Sequence, residues 1–135
     1  MRIKRCFNWL FLTPEEPRHW AQVIGWWELR RIPYNLIVGI LGIISFLLYV
    51  VFLDWAHELK PGEDAIEPLA LLAAPFIINI CYTAGWSAEL FLRIVWREKS
   101  PRTGPILLRL GLSFSMLIVF LPSVTWFSIW LFRSV

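Results

Sequence analysis

Residues 79–97, NICYTAGWSAELFLRIVWR, have the apolar content of a membrane-crossing helix but carry Asn79, Thr83, Glu89 and Arg93. A charge at the centre of such a helix costs about 2.5–3.5 kcal/mol, and less near its ends. These side chains must therefore meet partners or face protein. The helix extends back to Pro68 and forward to Trp96. At 1.5 Å per residue it is roughly 42 Å long, enough to reach through both headgroup layers. Turning by about 100° per residue, Asn79, Thr83, Trp86, Leu90 and Arg93 share one side, flanked by Tyr82 and Glu89. The opposite side carries Ala70, Ala74, Ile77, Cys81, Ala84 and Ala88. Small residues at helical spacing let a second helix approach closely, which matters in lipid, where helices have no hydrophobic reason to associate. With both faces suited to protein, this segment is expected to be the central helix.

Two further apolar runs flank it. Residues 36–53, LIVGILGIISFLLYVVFL, hold no charge, and residues 106–132 are nearly as apolar. Of the chain's 135 residues, 58% are hydrophobic, above the about 45–50% of soluble domains. The predicted fold is an all-α integral membrane protein with three transmembrane helices over about 36–53, 68–96 and 106–132. Of the thirteen Lys and Arg, six precede the first span and five lie on or beside the connection from the second to the third. Only Lys60 and Arg133 remain for the other side. The positive-inside rule then places the N-terminus in the cytoplasm and the C-terminus outside, across a membrane expected to be a bacterial cytoplasmic one. The connection 54–68, DWAHELKPGEDAIEP, is acidic and falls outside.

Residues 1–33 form a cytoplasmic tail ahead of the bundle at 34–135. Its basic start resembles that of a secretory signal, but no small-residue cleavage site follows, so it is expected to be retained. Within it, TPEE at 13–16 reads as a helix start: Thr13 caps, Pro14 suits the first position and Glu16 closes the capping box, with Pro17 delaying the start. Trp20, Val23, Ile24 and Trp27 then make one apolar face beside Arg18, Arg30 and Arg31, the pattern of a helix lying in the cytoplasmic interface. Pro33 is expected to break that helix before the first span.

The candidate site is built from polar groups at similar cytoplasmic depth: Asn35, Glu89, Arg93 and Arg109. Glu89 and Arg93 are four apart with the acid first, the favourable order for a helical ion pair. Two roles fit Glu89: a structural clamp fixing helix register, or a protonatable or ion-binding group in a pathway. The nearby arginine and interface favour the clamp. Asn79, Tyr82 and Thr83 are candidates for a pathway or an interhelical contact, Asn79 lying near the midplane. A packing seam is expected from Gly39 and Gly42 of the first span and Ala74, Cys81, Ala84 and Ala88 of the second. The third span should turn Arg109, Ser113, Met116, Phe120 and Ser123 inward. Pro75 and Pro122 are expected to kink their helices.

No metalloprotease, serine-hydrolase, Walker or dinucleotide motif occurs, so no enzymatic activity, metal or cofactor is expected. Cys6 and Cys81 cannot make a disulfide framework, and the basic residues follow membrane topology, not nucleic acid. The expected partners are the bilayer and either further copies of the chain or another membrane protein. The function expected is action by helix association, as a homo-oligomer or accessory subunit. The alternatives are a subunit of a homo-oligomeric channel or transporter, and a membrane protein of the toxin, immunity or defence type.

Overall fold

The computed structural model describes residues 8–14, 18–56, 68–97 and 100–134. They form three long helices: α1 (Trp20–Ala56), α2 (Pro68–Val95) and α3 (Thr103–Ser134). A single helical turn at residues 8–10 precedes them, and no strand occurs among the described residues. Two helices, α1 and α3, are long and apolar enough to cross a membrane. The acidic connection between residues 57 and 67, where part of the expected outer loop falls, lies outside the described residues.

The expected break at Pro33 does not occur. α1 runs unbroken for 37 residues, about 55 Å, with Pro33 inside it. A proline costs its helix one backbone bond and crowds the preceding turn. The carbonyl that loses its helical donor is that of Leu29; two carbonyls of the turn before it take side-chain donors, the Tyr82 hydroxyl on Trp27 and Arg30 Nη1 on Trp26 at 3.0 Å. The helix also starts later than TPEE suggested. Thr13 and Pro14 are not helical, and Glu16 lies outside the described residues. The capping box is made by other residues: Gln22 Oε1 accepts from the His19 amide at 2.8 Å, while His19 Nδ1 accepts from the Ala21 amide at 3.4 Å.

Contacts fix the direction of each helix. Going up α1, Tyr34 meets Ser115, Ser45 meets Ser123, and the Trp55 ring meets Trp130, so α1 and α3 run parallel. Trp27 meets Glu89 and Asn35 meets Asn79, so α2 runs antiparallel to α1. The helices go up, down and up. α1 packs on α3 more extensively than either packs on α2, so the central position expected for the second span is not the one it takes.

The inward face of α3 is only partly the expected one: Ser123 is buried and Met116 packs against the core, as expected. Leu108, Leu112, Ser115 and Ser123 are buried, whereas Arg109 and Ser113 face outward. Beside Pro122, which lies inside α3, the Ser45 hydroxyl donates to the Val119 carbonyl at 2.7 Å and Ser123 donates to the Ser45 carbonyl at 2.6 Å. The hydrophobic core is concentrated at one end of the bundle, where Val23, Trp26, Trp27, Tyr34, Tyr82, Leu108 and Leu112 close around the turn carrying Leu10.

Candidate functional site

Glu89 is fully buried in that core end. Its Oε1 accepts from Arg18 Nη2 at 2.6 Å and from Arg93 Nε at 3.1 Å, while Oε2 accepts from the Trp27 indole N–H at 2.7 Å. Arg93 comes from the same helix one turn on, as the spacing predicts. Arg18 arrives from the irregular segment ahead of α1. A carboxylate removed from water needs both a counter-charge and hydrogen bonds to its remaining lone pairs, and here both oxygens are engaged.

The first turn of α3 closes the fourth side. A Cβ added at Gly104 would lie 2.7 Å from Glu89 Oε2, so only glycine leaves room for the carboxylate. That position is at a helix N-terminus, where the partial positive charge of the peptide dipoles favours an anion. Gly85 plays a similar part for the indole: a Cβ there would lie 2.9 Å from the Trp27 ring. The backbone around the site is thus shaped by two close approaches that side chains larger than glycine would block.

The expected cluster of Asn35, Glu89, Arg93 and Arg109 is therefore only half assembled. Glu89 and Arg93 meet. Arg109 instead lies on the outer wall of α3, with its guanidinium 4.9 Å from the Phe11 ring. Asn35 is engaged further along, donating to Asn79 Oδ1 at 3.1 Å. Arg18 takes the place expected for Arg109, because α3 turns residue 109 out of the interior while the chain before α1 folds back over it.

Of the expected trio Asn79, Tyr82 and Thr83, only Asn79 and Thr83 come together. Asn79 donates to the Pro75 carbonyl at 3.0 Å, Thr83 donates to the Asn79 carbonyl at 2.9 Å, and Arg31 Nη2 reaches Thr83 Oγ1 at 3.3 Å. Pro75, Phe76, Asn79, Ile80 and Thr83 line an open groove of about 510 Å³ on the outside of the bundle. Tyr82 points the other way, into the core.

The seam does not close within one chain. Ala74 and Ala84 are exposed, Cys81 and Ala88 are half-buried, and the side chain of Ala70 is not among those described. Gly39 has nothing within 4 Å of its would-be Cβ, and Gly42 faces Val119 of α3 at 3.9 Å, not α2.

The sequence marks Arg30 only as a charge flanking an apolar face. It is buried, and donates to the Leu10 carbonyl at 2.9 Å, the Trp9 carbonyl at 3.1 Å and the Trp26 carbonyl at 3.0 Å. Its guanidinium stacks between the rings of Trp9, at 4.5 Å, and Trp26, at 3.8 Å. A planar cation with five donors suits this setting of carbonyl ends and ring faces. It staples the N-terminal turn to α1. Among the described residues, no three His, Cys, Asp or Glu side chains converge as metal ligands.

No protein-family model matches the sequence, and no curated protein or solved structure is similar to it.

Proposed function

We propose that the protein is a small integral membrane protein of three spans that works by association, either with copies of itself or as an accessory subunit of a membrane complex. The observation that carries this is the inequality of the two faces of α2. From Tyr82 to Arg93 its polar face is engaged inside the chain by α1, α3 and the segment before α1, whereas Ala74, Ile77 and Ala84 on the other face have no helix of this chain over them. Small side chains let a partner helix come close enough for dispersion contacts to hold it in lipid.

The up, down and up course supports α2 as a third crossing beside α1 and α3. The division of Lys and Arg, eleven to two, supports a cytoplasmic N-terminus and an exterior C-terminus. Val23 and Trp27 pack in the core, which favours an N-terminal part of α1 that continues the first span over a separate helix lying in the interface. The sealing of Glu89 favours the clamp over a pathway, since a proton or cation route needs water at the carboxylate, and none of its surface is exposed.

The test is the oligomeric state and co-purifying protein of the full chain in lipid nanodiscs, compared with Ala84→Leu and Ala74→Leu. The reading expects an assembly, or a stoichiometric partner, that both leucine variants weaken while the helical content of the chain is kept. A wild-type chain that is monomeric and partnerless in lipid would overturn it.

A further inference from the structure

Arg109 lies on the outward wall of a spanning helix, where a cation calls for an anionic partner. It lies six residues after the start of α3, about 9 Å along the axis. Its neighbours on the same outer wall, Ile106, Leu110, Phe114 and Leu117, are all exposed and apolar. The guanidinium therefore emerges from a lipid-facing surface. The ion pairs among the described residues join Arg18, Arg31 and Arg93 to carboxylates, and Arg109 is in none of them. Its partner within the chain is the face of Phe11, which orients the guanidinium and leaves its N–H edges available.

Those edges open onto a cavity of about 430 Å³ lined by Asn8, Phe11, Leu12, Thr13 and Arg109. Asn8 and Thr13 supply neutral polar groups, and Phe11 and Leu12 supply an apolar wall. The occupant must be anionic, small enough at its charged end to reach the guanidinium, and apolar beyond it. We propose that this cavity binds the headgroup of an anionic phospholipid, with the phosphate on the Arg109 guanidinium, the Asn8 and Thr13 side chains around it, and the glycerol and upper acyl chains along Phe11 and Leu12. Arginine matches a phosphate through paired N–H donors. Arg2, Lys4 and Arg5 precede Asn8 in the sequence, and basic residues next to a membrane attract anionic lipid.

This inference rests on the membrane placement proposed above, but not on the association. Membrane placement is read separately, by whether the chain stays with membranes through alkaline carbonate washing. The lipid site is tested by native mass spectrometry of the full chain in a neutral detergent, offered phosphatidylglycerol or phosphatidylcholine at equal concentration. Wild type is expected to retain phosphatidylglycerol in preference, and Arg109→Gln to lower that retention about tenfold, the loss typical of one charge-assisted contact. Arg133→Gln, at the other end of α3, should leave it unchanged. Equal retention of the two lipids, or undiminished retention in Arg109→Gln, would refute the site. Displacement of the lipid by millimolar inorganic phosphate would also overturn it, by showing that free phosphate is the ligand. If Arg109→Gln fails to fold, as judged by helical content, the wild-type lipid preference and the rim variant Thr13→Ala decide the matter: absence of the preference, or its persistence undiminished in Thr13→Ala, counts against the site.

Discussion

The two ends of α2 are held in different ways. From Tyr82 to Arg93 the helix is bound by a buried carboxylate with three donors, by a tyrosine reaching a backbone carbonyl, and by a glycine pressed against an indole. From Leu69 to Ile77 it shows Leu69, Leu72, Phe76 and Ile77 to the outside, each more than half exposed. Composition explains the contrast. On the membrane placement proposed for α2, apolar side chains gain little by leaving lipid for another helix, so docking is decided where polar groups and small residues lie. The polar residues of α2 begin at Asn79, and so does its engagement with α1. The other end is left to lipid or to a partner.

The contrast would break most clearly at Glu89. Replacing it with Gln leaves two guanidinium groups beside a neutral amide in a water-excluded site. Breaking a buried pair costs about 3–5 kcal/mol, and the thermal unfolding of the purified chain should fall accordingly. Adding Arg18→Gln should restore part of the loss, so a double-mutant cycle should give a coupling well above measurement error. A variant as stable as wild type would mean that the anchored end is not anchored by charge.

Arg30→Lys comes next. Lysine keeps the charge but loses the planar fork that serves three carbonyls and two ring faces, a loss of about 1.5–3 kcal/mol. The effect should be local. Hydrogen exchange at residues 8–14 should speed up while the amides of α3 stay protected. Uniform loss of protection would show that the N-terminal turn is part of the global core.

Gly104→Ala should cost about 1–3 kcal/mol by driving a methyl group into the Glu89 carboxylate. Shortening the acid should relieve it, so the added loss from Gly104→Ala should be smaller in a Glu89→Asp background than in wild type. Additive losses would mean that the close approach does not limit stability.

These side chains also mark what the sequence could disclose. The helical nature of the chain and two helices long and apolar enough to cross a membrane followed from run length, and the Glu89–Arg93 pair from a four-residue spacing that any α-helix closes. Arg18 gave no such signal. It is 71 residues from Glu89, and its approach depends on an irregular segment whose path no periodicity encodes. Arg109 was misplaced because helical periodicity says which residues share a face without saying which face turns inward. Ser113 and Leu112 offered rival faces, and burial followed the apolar one. Pro33 misled for a related reason: the loss of one backbone bond is a local cost, while the packing that keeps the helix continuous past it is not written in the local sequence.

Asn79 stands at the border between the two ends of α2. Asn79→Leu removes its bond to Asn35, and interhelical bonds of this kind are worth about 0.6–2 kcal/mol in membranes. A modest fall in unfolding temperature is expected, smaller than that of any variant above. A fall as large as that of Glu89→Gln would extend the anchored end up to residue 79.

The smallest effect is expected at Phe76, which is 73% exposed on the open end. Truncating a large aromatic to alanine in a packed core costs about 3–5 kcal/mol. Phe76→Ala should instead stay within about 0.5 kcal/mol of wild type, the range of surface substitutions, because its neighbours outside the bundle are not helices of this chain. The measurement is the unfolding midpoint of the monomer in detergent, where any partner helix has been removed. Repeating it in nanodiscs then separates the possible occupants of the open end. If lipid alone covers it, the variant stays neutral in both settings. If a second helix rests there, the variant is neutral in detergent and destabilised in the assembled state. A core-sized loss already in detergent would erase the distinction between the two ends of α2, because it would mean that the exposed half packs inside its own chain.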